Sequence, residues 1–141
     1  MEREHFESYV AAFNAKDHEA LHSRFFAEDV RLQTLGYVLE GQGAIKQFYA
    51  FFHDYVEETL SIAGFHPFAT DGFFAEIRMV LTAKKEFTAQ AAEANGFGRL
   101  PPIPEGASYA TTLFIKYLVK NGKFQEILCA EMPDAIEIKR V

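Results

Sequence analysis

The stretch YVAAFNAKD, residues 9–17, brings the end of one helix and the start of another close together. Phe6, Tyr9, Val10 and Phe13 recur at i, i+3, i+4 and i+7, the apolar stripe of an amphipathic helix over residues 2–15. Asn14-Ala15-Lys16 ends that helix. Asp17 then reads as the N-cap of a second, short helix with Ala20, Leu21 and Phe25 turned inward, because its carboxylate can accept from the free N–H groups of the first turn. Two helices therefore meet at a tight corner. Tyr9 lies on the inward stripe, where a phenol is either ordinary core packing or a hydrogen-bond donor aimed into a cavity.

Downstream of Glu28-Asp29, Val30, Leu32 and Thr34 alternate with Arg31 and Gln33 as a strand. Gly41 and Gly43 bracket the entry to a third helix carrying Ile45, Phe48, Tyr49 and Phe52 on one face. The rest is mostly strand, over residues 59–68, 72–87, 108–120 and 124–132. Asn121-Gly122 joins the last two, a dipeptide that favours tight hairpin turns. Residues 90–106, QAAEANGFGRLPPIPEG, are too rich in Gly and Pro for regular structure and read as an inserted loop. Its Phe97 and Leu100 still seek apolar contact, which predicts a place near a pocket mouth or across a partner. Helices followed by hairpin-linked strands predict one α+β domain over residues 1–141, with an antiparallel sheet and no repeat or linker.

The 141 residues are enough for one core, and the 15 phenylalanines and 6 tyrosines are many for that length. A net charge of −6 with no basic stripe argues against nucleic acid as a partner. No apolar run approaches a membrane span, and the acidic N-terminus is unlike a leader peptide, so the reading is a cytoplasmic protein. Cys129 is the single cysteine, which rules out an intrachain disulfide and a cysteine-based metal site. His18 and His22 have i, i+4 spacing, but no third ligand accompanies them, so no metal is expected; they read as a wet helix surface. His53, near the end of the third helix, is positioned to cap carbonyls or meet the helix dipole.

Three blocks, residues 9–17, Phe26-Ala27-Glu28-Asp29-Val30 and residues 41–49 (GQGAIKQFY), resemble the opening of the nuclear transport factor 2-like superfamily, particularly its ketosteroid isomerase and SnoaL-like cyclase branches. With the strand order and the Asn121-Gly122-Lys123 turn, the resemblance covers nearly the whole chain. It implies a cone-shaped, curved antiparallel sheet wrapped around three N-terminal helices, an internal pocket open at one end, and a homodimer formed through the outer sheet face.

On this resemblance Tyr9 falls at the oxyanion-hole tyrosine of the isomerases. Thr34 stands where they carry the aspartate base, and a neutral hydroxyl cannot take a proton from carbon. Their second carboxyl falls near Leu113 or Ile115, so steroid isomerisation by that constellation is not expected. Asn14 replaces the aspartate of the related dehydratases. The comparison turns Gln125, Ile127, Cys129 and Glu131 inward on the last strand, and Glu76, Arg78 and Val80 inward on the long second one. Phe73, Ala75, Ile77, Met79 and Leu81 are left for an outer dimer face. Glu76, Arg78 and Glu131 would then converge, similar to the arginine flanked by acids in limonene epoxide hydrolase. The opposing reading makes Glu76 and Arg78 the wet face of the strand.

The resulting expectation is an enzyme without a cofactor, of isomerase, cyclase, dehydratase or hydrolase type, acting on a small apolar or aromatic ligand. Glu131 is the acid/base, Tyr9 a donor, and Glu76 and Arg78 supporting charges. Leu32, Thr34, Phe52, Val80, Ile127, Cys129, Gln125 and Phe13 line the pocket. Cys129 is expected as an apolar wall residue, not a nucleophile. The alternative is a non-catalytic binding protein or dimerisation module of the same fold.

Overall fold

The computed structural model describes residues 1–132. Helix α1 (Arg3–Asn14) buries Phe6, Tyr9, Val10 and Phe13, the stripe read from the sequence. The chain turns at Lys16, held at a left-handed φ of 58°, and Asp17 caps α2 (His18–Ala20) by accepting from the Ala20 N–H at 3.1 Å. That helix widens into a π-helical turn, Leu21–Phe25, which buries Leu21, His22 and Phe25. Strand β1 (Phe26–Thr34) follows at once. The Gln42 side-chain amide at the start of α3 (Gly41–Tyr55) donates to the carbonyls of His22 and Phe26 at 2.9 and 3.0 Å, tying helix, turn and strand together.

Between β1 and α3 lies β2 (Tyr37–Glu40), a strand the sequence reading omitted. Leu35 and Gly36, at φ 51° and 82°, form its two-residue hairpin turn. Leucine seldom adopts positive φ, so nothing in the residue types announced a turn there. The remaining strands are β3 (Val56–Phe68), β4 (Gly72–Ala83), β5 (Ser108–Lys120) and β6 (Lys123–Met132). Asn121 and Gly122, at φ 53° and 76°, make the expected β5–β6 turn. The inserted loop is not wholly irregular: its start forms a short helix, α4 (Ala89–Ala94), capped by the Thr88 hydroxyl.

All six strands form one sheet in the order β2-β1-β6-β5-β4-β3. The pairs are antiparallel except β1 with β6, which run parallel, so the sheet is mixed, mostly antiparallel. Helices α1 and α3 pack on it, and among the described residues no helix is long and apolar enough to cross a membrane.

The expected register of β4 is inverted. Phe73, Ala75, Ile77, Met79 and Leu81 are buried in the core, while Phe74 and Val80 are exposed on the opposite, convex face, which Glu76 and Arg78 share. The reason is apolar: the inner row meets the aromatic side of α1, with Phe73 lying 4.9 Å from Phe6 and 4.7 Å from Tyr117. The charged alternates keep water, as the wet-face reading holds. On β6 a bulge interrupts the pairing, so that Leu118 opposes Glu126 while Val119 opposes Phe124. The skipped residue is Gln125, and Phe124 and Ile127 fill the core in its stead.

His22 is 5% exposed, and burial, helped by the charges of Lys46 and His18, pushes its imidazole down to about 4. The unfolded chain, with an ordinary histidine, therefore takes up a proton at a higher pH than the folded one. Stability assignable to neutral His22 is complete above about pH 6.5 and is lost as pH falls toward 4. Replacing His22 by Leu should flatten the acid limb of the Tm-against-pH curve in that window, by up to roughly 2 kcal/mol after allowance for solvent screening. An acid limb unchanged in His22→Leu would refute this.

Candidate functional site

A cavity of about 640 Å³ opens where the ends of β1, β5 and β6 approach α3 and the segment 99–104. Thr34, Phe52, Leu81, Leu113 and Cys129 form its inner walls, and Leu100, Pro101, Pro102, Ile103 and Pro104 cover it from the loop side. The loop is pinned in place. Phe97 packs edge-on against Tyr37 and Phe48 at 5.2 and 5.0 Å and stacks on Phe51. The Arg99 N–H donates to the Tyr37 hydroxyl at 2.8 Å, and Phe87 and Ile103 form a β-bridge.

The polar residues of its lining are Thr34, Arg99, Ser108, Tyr109 and Glu131. Glu131 stands at its exposed rim, opposite Leu113 in the β5–β6 ladder, and its carboxylate accepts a hydrogen bond from the Tyr109 hydroxyl. Deeper in, Thr34 and Cys129 share the wall, and the hydroxyl favours the thiolate. Burial nevertheless pushes that thiol up to about 12, so it is a neutral wall group at physiological pH.

Thr34, Phe52, Cys129 and Glu131 thus lie together on the cavity wall. Leu32, Phe13 and Ile127 are in the core instead, and Gln125 faces a shallow surface groove with Glu28, Asp29 and Lys123. Glu76, Arg78 and Val80 are on the convex face, so the expected Glu76, Arg78 and Glu131 cluster does not form: alternation puts β4's charges and the Glu131 side chain on opposite sides of one sheet. Tyr9 is 5% exposed, ringed by Phe6, Phe25 and Phe124, and its ring meets that of Tyr117 edge-on at 6.2 Å. Burial raises both phenols. Tyr9 is a core group rather than a wall of the cavity.

The sequence reading expected Leu100 near a pocket mouth but missed Tyr109 and the rest of the apolar cover. Leu100 and Ile103, each beside prolines, were the available signal for the cover. It also missed a buried pair: Glu58 Oε2 lies 2.8 Å from His53 Nε2, with both side chains less than a tenth exposed. Val56, Glu58 and Leu60 share one face of β3. Starting that strand at residue 59 hid the alternation. Among the described residues no group of three side chains is arranged to hold a metal ion.

The fold recurs in solved structures. A proposed polyketide cyclase from Xanthomonas campestris pv. campestris matches with a TM-score of 0.70 at 22% identity, over 89% of this chain and 85% of that one. A proposed polyketide cyclase from Pseudomonas putida matches at 0.71 and 20%, over 89% and 87%. An epoxide hydrolase from M. tuberculosis, of the limonene epoxide hydrolase-like kind, matches at 0.67 and 9%, over 92% and 80%. The chain has the nuclear transport factor 2-like fold. No protein-family model and no curated protein matches its sequence. The solved structures that share this fold include proposed polyketide cyclases, an epoxide hydrolase and a computationally designed 17-OHP binder, so the fold leaves the chemistry to the lining of its pocket.

Leu100 is 4% exposed and covers the cavity. Leu100→Ala should cost about 2–4 kcal/mol in denaturant unfolding and widen the pocket. A cost under about 0.5 kcal/mol would mean that the loop does not pack as a lid.

Proposed function

We propose that this protein is an acid/base enzyme that works without a cofactor on a small apolar or aromatic molecule held in the cavity. The reaction is of the isomerase, cyclase, dehydratase or hydrolase kind. One observation carries the reading: a carboxylate, Glu131, stands on the wall of a mostly apolar cavity with a phenol, Tyr109, donating to it. A carboxylate so placed accepts a proton from a carbon acid or from water. The phenol steadies one oxygen and leaves the other for the substrate, and apolar walls strengthen both interactions. Solved structures of this fold that carry small organic ligands support the choice of substrate class.

The second reading is a binding protein without turnover. It is favoured by Thr34, a neutral hydroxyl on the cavity wall, and by Tyr9, which is buried in the core and outside the cavity lining. One experiment separates the two. Exchange of the α-hydrogens of 2-tetralone in D2O, followed by proton NMR, should be accelerated by the protein and slowed about 100-fold or more by Glu131→Gln, with tetralone affinity retained. Binding with no acceleration in the wild type would favour the binder.

A homodimer through the convex face belongs to the same proposal, on different residues from those first expected. Phe74, Val80 and Phe114 are 48%, 37% and 43% exposed there, around Glu76 and Arg78. An apolar patch with charges of both signs can match its own two-fold copy. Phe114→Glu should halve the mass seen by light scattering at micromolar concentration. An unchanged mass would place any interface elsewhere.

A further inference from the structure

Behind the cavity wall, the His53–Glu58 pair is an ionisable pair that the rim chemistry does not use. Glu58 projects from β3 into the interior between Val56 and Leu60, and His53 comes from the last turn of α3. Their contact is 2.8 Å, in a shell of rings: Tyr49 at 4.8 Å, Phe13 at 5.7 Å and Phe52 at 6.1 Å from the imidazole. The charged or titratable neighbours of the pair include Lys16, which donates to the Glu58 carbonyl, His18, whose ring lies 5.8 Å from that of His53, and the Tyr49 phenol, which burial and the Glu58 charge keep protonated. Removing such a pair from water is costly, and its burial calls for an explanation beyond stability.

The second nitrogen of His53 supplies one. Nδ1 is buried and has no hydrogen-bond partner. With the imidazole neutral and Glu58 ionised, the carboxylate only accepts, so the proton sits on Nε2 and Nδ1 carries a lone pair. A buried acceptor without a donor is an incomplete hydrogen-bond site. Phe52 joins it to the cavity: this side chain lines the pocket, and its ring packs against that of His53. The charge of Glu58 also reaches Cys129 on the same wall.

We propose that His53 is a catalytic base at the inner end of the pocket, with Glu58 as its positioning residue, and that its ligand is an apolar ring system bearing one terminal O–H or N–H donor. The inference rests on the cavity being the ligand site. Displacement of the Phe52 ring lets the donor reach Nδ1. The donor's proton passes to Nδ1, the electron pair of its bond stays on the ligand heteroatom, and the resulting imidazolium is held by the Glu58 carboxylate. No other reactant is needed.

The test uses the full chain and two probes of nearly equal shape, 2-naphthol with a donor and 2-methoxynaphthalene without one, titrated calorimetrically. 2-Naphthol should bind about ten-fold more tightly, the worth of one buried hydrogen bond. His53→Phe should abolish that preference while keeping the affinity for the methoxy probe. In wild-type protein labelled with 15N-histidine, the Nδ1 resonance should move toward the protonated position with 2-naphthol and stay in place with 2-methoxynaphthalene, a readout independent of how the variant folds. A purely structural pair would lower Tm in His53→Phe without either signature. Equal affinities for the two probes, a preference surviving in His53→Phe, or an unmoved Nδ1 would overturn the proposal and leave the pocket standing. If neither probe binds, both the inference and the ligand reading of the cavity fall.

Discussion

Phe73 stacks on Tyr117 at 4.7 Å and meets Phe6 edge-on at 4.9 Å, and this aromatic junction fixes the inner face of the sheet. Strand side chains alternate, so with Phe73 inward, Ala75, Ile77, Met79 and Leu81 follow, and Glu76 and Arg78 must face out. The ladder carries the choice sideways. Ile77 opposes Leu113 on β5, and Leu113 opposes Glu131 on β6. The aromatic contact with α1 thus brings Glu131 to the pocket side and keeps Arg78 from it. A slip of one residue would bury two charges and expose five apolar side chains, a cost no single ion pair could offset.

The corner after α1 serves the opposite edge. Strand β3 ends the sheet, and its outer backbone groups would be open to pairing with another chain. The Asn14 amide closes part of that edge, donating to the Leu60 carbonyl and accepting from the Leu60 N–H, both at 2.8 Å. Lys16 covers the Glu58 carbonyl. The polar end of YVAAFNAKD is therefore a protecting edge as well as a helix stop. It also anchors the part of β3 that holds Glu58 inward.

Much of the architecture was legible because its signals are local. The α1 stripe, the Asp17 cap, the α3 face and the Asn121-Gly122 turn each depend on residues a few positions apart. Strand β2 escaped because its turn uses a leucine at positive φ. Gln125 was misdirected because a bulge breaks the period that the reading assumed. The facing of β4 was the hardest case: its apolar row would suit an interface or a core equally, and only the aromatic partners on α1 and β5 distinguish them. The cavity lining was legible on strand ends, at Thr34, Cys129 and Glu131. It was hidden where it depends on tertiary approach, as with Tyr109 and the prolines of the cover, and so was the Glu58–His53 contact.

The interior narrows the chemistry by elimination. Burial raises the phenols of Tyr9, Tyr49 and Tyr117 and holds the Cys129 thiol near 12, so all four stay protonated at physiological pH. They can donate hydrogen bonds but do not supply a base. Thr34 cannot supply one either. On the proposed reading, proton transfer falls to Glu131 at the rim and to His53 with Glu58 behind Phe52. On that reading, a substrate long enough to touch both would meet a carboxylate at one end and an imidazole at the other, with mostly apolar walls between and Arg99 in the loop-side lining as the cation available to it.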